Sequence, residues 1–358
     1  MILLPIFLTL LLVVGVHELG HALAAKCFKV KVLSISLGFG PEVYSWTSKK
    51  HIRWVIAMLP IGGFVKLLNS RIHKVSKKDQ AYCFNVKPTY ARVIILFSGA
   101  LANLLLAFMA LTLTYSLGYQ VTSPKIASVK ADSPAALAGI HQGDTLIQIG
   151  QTPTSSWQDA GMAIISNLNA AKVPVSFIDE NNHSHTSTLD LSIWKYTIGK
   201  HALLKGLGIT PSTKAIMDIP GVSLKHAACH AFSQIGDFIQ FFAVVIKQLV
   251  TGHIPFAILL GPIGIVQAMN HTFVQGISLY AYFIGSFSLA IAVANLLPIP
   301  GLDGGSIIYS LLECIRGKPI SVALEALMHR LAFIVLCIFL VQLALNDTQK
   351  LFINYTQP

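Results

Sequence analysis

Charged residues are scarce in this chain, acids above all. Only 15 of its 358 residues are Asp or Glu, all charged residues together make up 11%, and 54% are hydrophobic. Ordinary soluble domains carry about 25% charged residues. This scarcity excludes a soluble enzyme and predicts an integral membrane protein, with length for several spans and one soluble domain.

Two further absences exclude other classes of protein. The five cysteines are isolated and no two form a C-x-x-C pair, so the sequence predicts neither a disulfide framework nor a cysteine zinc site. No Lys or Arg precedes the apolar run that begins at Met1, whereas Lys26, Lys29 and Lys31 follow it. This charge order is the reverse of a secretory signal peptide, which is therefore the weaker interpretation of residues 1–24.

The basic residues that are present are concentrated in one stretch. Thirteen Lys or Arg lie between positions 26 and 92, against two acids. Such an excess beside spans marks the cytoplasmic side, so it explains the net charge of +11 without a nucleic-acid partner. We expect residues of about 27–90 and 304–330 in the cytoplasm. The N-terminus, the segment 119–275 and the C-terminus are then expected on the opposite side.

Four apolar segments are candidates for membrane spans. They run from about 2 to 26, 91 to 117, 277 to 303 and 331 to 345. The last is short for the ~20 residues that a hydrocarbon core requires. The sequence thus predicts a polytopic α-helical membrane protein with about four transmembrane helices.

Two further segments are apolar but interrupted. Residues 32–66 alternate like strands around a Gly-Phe-Gly-Pro break, which predicts a β-hairpin that re-enters the membrane and lines a protein cavity. An interfacial hairpin without a role in a site is the alternative. Residues 223–250 place apolar residues at helical spacing with polar residues among them, which predicts an amphipathic helix on the outer membrane surface.

The first predicted span contains the H-E-x-x-H motif His17-Glu18-Leu19-Gly20-His21. Residues four apart lie on one face of a helix, so both imidazoles are presented together to a zinc ion. Glu18 lies beside them as a potential base for a water activated by the metal. Three titratable groups at one place in a span need a functional reason, which favours a metalloprotease with its site in the bilayer.

A catalytic zinc requires a third protein ligand. Asp303 is the only acid of the third predicted span, in the segment that runs from Asn295 through two prolines to Asp303-Gly-Gly. First and third spans that run in the same direction bring His17 and Asp303 to the same inner half of the bilayer. The prolines break the helix, and the diglycine permits a tight turn near the metal. An Asp that only caps a span at the interface is the alternative.

Residues 121–211 have the pattern of a compact domain. Strand-like runs at 126–129 and 143–150 flank a short capped helix at 133–140. This order resembles the circularly permuted PDZ domains of bacterial proteases, which bind peptides by adding a strand to a sheet edge. The resemblance implies one inserted α+β PDZ-like domain whose ligand is a peptide or the periplasmic part of a substrate.

H-E-L-G-H in the first span with N-x-x-P-x-P-x-L-D-G-G in the third resembles the site-2 protease family of intramembrane zinc metalloproteases. The branch of the regulator of sigma-E protease, RseP, is the most similar. Further similar segments begin at Gly38, Pro60, Phe97 and Gly261, so the resemblance covers nearly the whole chain. The chain departs from that branch in having one PDZ-like domain instead of two, and in having Ser306 where relatives often have His.

The resemblance implies one Zn²⁺ per chain, held by His17, His21 and Asp303, with Glu18 as the catalytic residue. It also implies that Asn295 steadies the substrate backbone or the developing oxyanion, and that the hairpin pairs with an unwound substrate. The hairpin glycines expected at substrate-binding positions are Gly38, Gly40, Gly62 and Gly63.

The predicted organisation has four parts. These are an N-terminal membrane half (1–118), a periplasmic PDZ-like domain (119–215), a membrane-surface helical region (216–275) and a C-terminal membrane half (276–358). The implied function is hydrolysis within transmembrane segments of single-span proteins in the bacterial inner membrane, such as a pre-trimmed anti-sigma factor or signal-peptide remnants. Membrane lipid is a further expected partner. The rival hypothesis is a non-catalytic scaffold that holds partners through its PDZ-like domain.

Overall fold

The computed structural model describes residues 3–49, 51–194, 202–212 and 214–356. Its helices are α1 (Leu3–Cys27), α2 (Thr89–Leu117), α3 (Pro134–Leu137), α4 (Trp157–Ser166), α5 (Ala202–Lys205), α6 (Leu224–Val250), α7 (Pro262–Gln275), α8 (Ile277–Asn295), α9 (Asp303–Arg316) and α10 (Val322–Thr356). Its strands are β1 (Val32–Thr47), β2 (Arg53–Leu67), β3 (Gly118–Thr122), β4 (Ile126–Val129), β5 (Thr145–Ile149), β6 (Thr152–Pro153), β7 (Val173–Ile178), β8 (Ser184–Leu189), β9 (Ile209–Pro211) and β10 (Ile216–Pro220).

Internal contacts divide the chain into two compact units. The first comprises Met1–Thr114, Leu224–Ile235 and Ala268–Phe339. The second comprises Tyr115–Ser223, Gly236–Gln267 and Leu340–Pro358. Each unit is built from segments that are distant in the sequence.

Both long N-terminal helices of the first unit contact α8. The Thr9 hydroxyl of α1 lies 2.9 Å from the Tyr280 hydroxyl, and both groups are buried. The Ser288 hydroxyl donates to the carbonyl oxygen of Asn103 in α2 over 2.9 Å. Hydrogen bonds of this kind fix helix positions in a membrane, where apolar side chains alone give little preference between neighbours.

β1 and β2 form an antiparallel pair that folds back on itself. Residues 32–37 pair on one side with residues 63–67, from Val32–Leu67 to Leu37–Gly63. On the other side residues 34–37 also pair with 53–56, and 53–56 pair in turn with 44–47. The hairpin predicted for residues 32–66 is therefore present as a four-segment sheet. Its depth in a membrane stays a prediction.

Glycines permit the bend in this sheet. Gly38, Gly40 and Gly62 have φ angles of 94°, 90° and 85°. L-residues with a side chain rarely adopt such angles, whereas glycine does so readily. The glycines therefore lie at the bends where β1 reverses direction between residues 37 and 44, and β2 between residues 56 and 63.

The third predicted span ends earlier than expected. α8 ends at Asn295 and not at Asp303, because Pro298 and Pro300 lack the N–H groups that a continuing helix requires. The following turn contains Gly301 with a φ of 94°, and Asp303 is the first residue of α9. Asp303 thus begins a new helix and does not end a span.

The diglycine does not form the turn that was predicted from it. Gly304 and Gly305 lie in the first turn of α9. A Cβ atom at Gly304 would overlap the carbonyl oxygen of Leu296, and one at Gly305 would overlap that of Ile299. The two glycines let the start of α9 pack directly on the preceding backbone.

The second unit contains an α+β domain. Its four-stranded antiparallel sheet has the order β6-β5-β7-β8, and β4 pairs separately with β9. The Ser133 side chain accepts a hydrogen bond from the Ala136 amide and begins α3, as predicted. Identification with a PDZ domain stays a prediction. The buried core includes Ile126, Ile140, Leu146, Ile149, Ile164, Val175 and Leu207.

Six helical segments of the described chain are long and apolar enough to cross a membrane, so the number of candidate spans differs from the four predicted. The additional two are α6 and Phe256–Gln275. The sequence predicts a position on the membrane surface for α6 because Lys, His and Asp lie among its apolar residues, although its length and hydropathy also suit a span. α10 has 35 residues, and the predicted span 331–345 covers only its middle.

Candidate metal centre

α1 presents His17 and His21 as a pair. The two side chains are separated by one helical turn, and their ring centroids lie 4.8 Å apart with an interplanar angle of 85°. The exposed fractions are 7% for His17 and 8% for His21. Two imidazoles held this close and removed from solvent are suited to bind one metal ion, because neutral ring nitrogens are common zinc ligands.

Asp303 completes the cluster. Its Oδ2 atom lies 3.2 Å from Nε2 of His17 and 3.2 Å from Nε2 of His21. As the first residue of α9 it also occupies the positive end of the helix dipole, which favours a charged carboxylate. The turn after α8 therefore brings Asp303 into contact with His21, although the two residues are 282 positions apart in the sequence.

The three ligand atoms fit a zinc ion. The two Nε2 atoms are also 3.2 Å apart, so the atoms form a nearly equilateral triangle. Ligand atoms at ordinary zinc distances of about 2.0–2.1 Å occupy tetrahedron corners roughly 3.3 Å apart. Buried Oδ2 of Asp303 has the two ring nitrogens as near neighbours but makes no hydrogen bond of good geometry with any described residue, as expected of an atom placed to meet a metal. Among the described residues, this is the only group of three His, Cys, Asp or Glu side chains whose ligand atoms lie close enough together to hold one metal ion.

α2 supports the cluster through groups that the sequence analysis assigned no role. The carbonyl oxygen of Ile95 lies 2.8 Å from Nδ1 of His21, which fixes the ring and leaves Nε2 for the metal. Gly99 packs against both rings, and a Cβ atom there would overlap Nε2 of His21 and lie 2.7 Å from Cε1 of His17. The only signal for Gly99 was its place in the segment from Phe97 to Asn103.

Glu18 lies between the histidines in sequence and faces the sheet. Its side chain is buried, with 5% exposed, and a Cβ atom at Gly63 would lie 3.2 Å from its Cγ. The backbone of Val65 also lies close to its carboxylate. The strand segment 63–67 therefore runs directly beside Glu18.

The other predicted site residues are divided between this sheet and the end of α8. Gly63 is the one hairpin glycine seen against the site, whereas Gly38, Gly40 and Gly62 lie at the bend. Asn295 is the last residue of α8 and is half-buried. Roles for these residues in substrate binding stay predictions.

The sequence of this chain is similar to those of known peptidases. A sequence profile of Peptidase family M50 matches residues 5–339. The chain belongs to peptidase family M50. This M50 assignment confirms the predicted resemblance to the site-2 proteases at the level of the family, while the RseP branch stays a prediction.

Relatives within the family match over nearly their whole length. A protein of Rickettsia conorii named "Putative zinc metalloprotease" is 28% identical over 353 residues, covering 96% of this chain and 98% of the relative. A similarly named protein of Fusobacterium nucleatum is 29% identical over 351 residues, with 95% and 96% covered. One of Neisseria meningitidis is 23% identical over 450 aligned positions, with 98% and 99% covered. These findings make the M50 chain a multi-pass membrane metalloprotease with zinc as its cofactor.

Proposed function

We propose that this protein hydrolyses peptide bonds within transmembrane segments of single-span membrane proteins. The observation that carries the proposal is the triangle of His17, His21 and Asp303 beside buried Glu18 in an apolar helix. Three of these titratable groups lie among the apolar residues of the candidate span α1, and the fourth reaches them from the start of α9. Their desolvation is costly, so this arrangement favours a site in the membrane over a soluble protease.

The chain's own residues account for the proton transfers. When bound, zinc polarises the scissile carbonyl and makes a water more acidic. Glu18 takes a proton from the attacking water at its carboxylate and delivers it to the nitrogen of the leaving amine. Burial between α1 and the strand segment 63–67 holds this carboxylate in place and limits competing water.

The sheet supports binding of an unwound substrate. Residues 63–67 pair with β1 on one side, and no described strand pairs with their other side. A transmembrane helix hides its carbonyls in i→i−4 bonds, so cleavage requires an extended stretch. Edge pairing supplies new main-chain partners for that stretch next to Glu18. Asn295, at the end of α8, is our candidate for steadying the bound backbone.

The α+β domain is proposed to select what reaches the site. We propose that residues 119–215 act as a single PDZ-like domain on the periplasmic side of the inner membrane. It would bind a peptide or the trimmed outer part of a substrate by strand addition. Anti-sigma factors trimmed outside the membrane and signal-peptide remnants are the substrate classes proposed from the resemblance.

The first test is cleavage of a single-span reporter by the purified full-length protein in lipid vesicles. Glu18→Gln is expected to retain one zinc per chain and to lose turnover by at least a thousandfold, since it removes the base and no ligand. Glu42→Gln, the same change at an exposed ion pair with Arg53, is the matched control and keeps full activity. Turnover by the Glu18 variant would refute the mechanism, and a wild type with neither zinc nor cleavage would favour the scaffold.

A further inference from the structure

A cluster of arginine and glutamate lies away from the metal triangle in the first unit, with Arg92 buried and Arg71 and Glu313 partly buried. Glu313 of α9 accepts hydrogen bonds from Nη1 of Arg92 over 2.6 Å and from Nη1 of Arg71 over 3.1 Å. Arg71 also donates to the carbonyl oxygen of Ile320, whose amide donates to Glu313 over 3.3 Å. Side-chain exposure is 10% for Arg92 and 11% for Glu313. We call Arg71, Arg92 and Glu313 the arginine–glutamate cluster.

The cluster shares a helix face with the groups that hold the histidines. In α2, Ile95 and Gly99 follow Arg92 by three and seven residues, so all three positions lie on one face. This face meets Glu313 at Arg92, His21 at the Ile95 carbonyl, and both imidazoles at Gly99. About 10 Å separates the first and last of these contacts along the helix axis.

α9 also has one contact at the site and one at the cluster. Asp303 is its first residue and Glu313 follows ten residues later, which is about 15 Å along the axis. Three contacts thus connect α1, α2 and α9 in pairs, so that each of these helices contacts the other two. Asp303 joins α9 to α1, His21 joins α1 to α2 through the Ile95 carbonyl, and Arg92 joins α2 back to α9.

We propose that Glu313 is a positioning residue of the metal centre, which sets the axial position of α9 against α2 and so places Asp303 at the histidines. This inference deepens the proposed function, because it concerns the same zinc site. A shift of α9 along its axis would move Asp303 out of the 3.2 Å triangle. The pair of Arg92 and Glu313 opposes such a shift because the buried guanidinium of Arg92 would lose its carboxylate partner.

The cluster also includes the sheet segment beside the base. Arg71 follows the end of β2 by four residues, and β2 contains Gly63 and Val65 next to Glu18. Buried ion pairs contribute little net stability, so their best-attested use is to specify one arrangement among several. Here the arrangement specified is that of α2, α9 and the end of β2 around one site.

Glu313→Gln in the full-length protein tests the inference, because it keeps the shape of the side chain and removes its charge. We expect zinc affinity, measured against a competing chelator, to fall about ten- to hundredfold. The visible absorption of the Co²⁺-substituted protein should change, since this spectrum reports ligand geometry. Glu313→Asp keeps the charge and should restore part of the affinity. Glu325→Gln is the matched control, because Glu325 contacts Arg71 only at 3.6 Å and is more exposed.

Wild-type zinc affinity and an unchanged cobalt spectrum in Glu313→Gln would overturn the inference. If that variant does not fold, Arg92→Lys decides the matter by the same two measurements, and wild-type values would again overturn it. The proposed function fails separately. A wild type that binds zinc without cleaving reporters refutes proteolysis while the affinity comparison still tests Glu313. A wild type that does not bind zinc refutes both.

Discussion

At the scale of single residues, the metal centre depends on a position without a side chain. Gly99→Ala is expected to displace at least one imidazole, because the added Cβ would overlap Nε2 of His21 and approach Cε1 of His17 to 2.7 Å. Zinc affinity should fall at least tenfold, as expected when a ligand loses its orientation. Zinc per chain after dialysis against a graded chelator series measures this change.

Gly236→Ala is the control for that substitution. Gly236 also lies inside a long helix, α6, but an added Cβ there meets nothing within 4 Å. Alanine favours helix over glycine by about 1 kcal/mol, so the control should bind zinc normally and be as stable as the wild type or more so. Equal zinc affinity in the two variants would contradict our account of Gly99.

The sequence allowed part of this cluster to be predicted. Helical spacing put His17 and His21 on one face, and the scarcity of acids left Asp303 as the sole candidate in its segment. The roles of Ile95 and Gly99 could not be predicted from their residue types. Ile95 contacts His21 through its backbone carbonyl, which every residue has, and Gly99 leaves room for both imidazoles because it has no side chain. Arg92 was counted only as one of the thirteen basic residues between positions 26 and 92, and Glu313 was assigned no role.

At the scale of elements, one helix is capped by another. Asp347 of α10 is buried and accepts hydrogen bonds from the amides of Gly261 and Gly264, over 3.1 and 2.8 Å, at the start of α7. A carboxylate at a helix N-terminus satisfies orphan amides and complements the dipole. This contact explains the Gly-Pro-Ile-Gly segment, since a Cβ at Gly261 would lie 2.5 Å from Oδ2 of Asp347.

Asp347→Ala should therefore destabilise the protein. Loss of a cap typically lowers the free energy of unfolding by about 1–2 kcal/mol. We expect a lower midpoint of thermal unfolding in detergent, with zinc content unchanged. Asp237→Ala removes an exposed carboxylate from α6 and should leave the midpoint where it is. Equal midpoints for the two variants would show that the cap contributes nothing.

The turn between β7 and β8 gives a prediction for acid pH. The His183 amide and the His185 ring hydrogen-bond the carboxylate of Asp179 and lower its pKa from 3.8 to about 2. Because the folded pKa lies below the ordinary value, the turn is fully stabilised above pH 3.8, and this stabilisation is lost as pH falls towards 2. Carboxyl ¹³C shifts of labelled Asp should show one residue titrating near 2, and Asp179→Asn should remove that signal. An Asp179 midpoint near 3.8 would contradict the prediction.

Element boundaries show where sequence patterns fail. Periodicity placed the first two long helices within two residues of their observed starts, because apolar runs bounded by polar residues are strong signals. The third was extended to Asp303 because the apolar run continues past the two prolines, although the prolines themselves were recognised as helix breakers. The double pairing of residues 34–37 was not visible either, because register between strand segments is set by three-dimensional contacts.

At the scale of the whole molecule, the charge distribution predicts a topology that labelling can check. In a variant without native cysteines, Ser184→Cys on β8 should react with a membrane-impermeant maleimide in intact spheroplasts. Lys77→Cys, in the basic stretch, should react only after the membrane is opened. Both positions are exposed, so a difference in reactivity reports sidedness. The reverse pattern would overturn the proposed orientation.

Composition was enough to predict a membrane protein of several helices, because low charge is a property of the whole chain. The number of candidate spans was not predictable in the same way. α6 mixes polar and apolar residues, and its length and hydropathy suit a span as well as a surface position. Composition therefore predicted the class of protein more reliably than the hydrophobic pattern predicted the number of spans.

The free edge at residues 63–67 has a consequence for the breadth of the substrate range. The hydrogen bonds that an edge strand makes with an added strand join amide and carbonyl groups, and these are the same for every amino acid. On the proposed function, a segment that docks there is recognised by its main chain, so its amino-acid sequence matters chiefly through the ease with which it leaves the helical state. Transmembrane segments that contain glycine, proline or β-branched residues would then be cleaved more readily. Many unrelated membrane anchors would be substrates of the same protease.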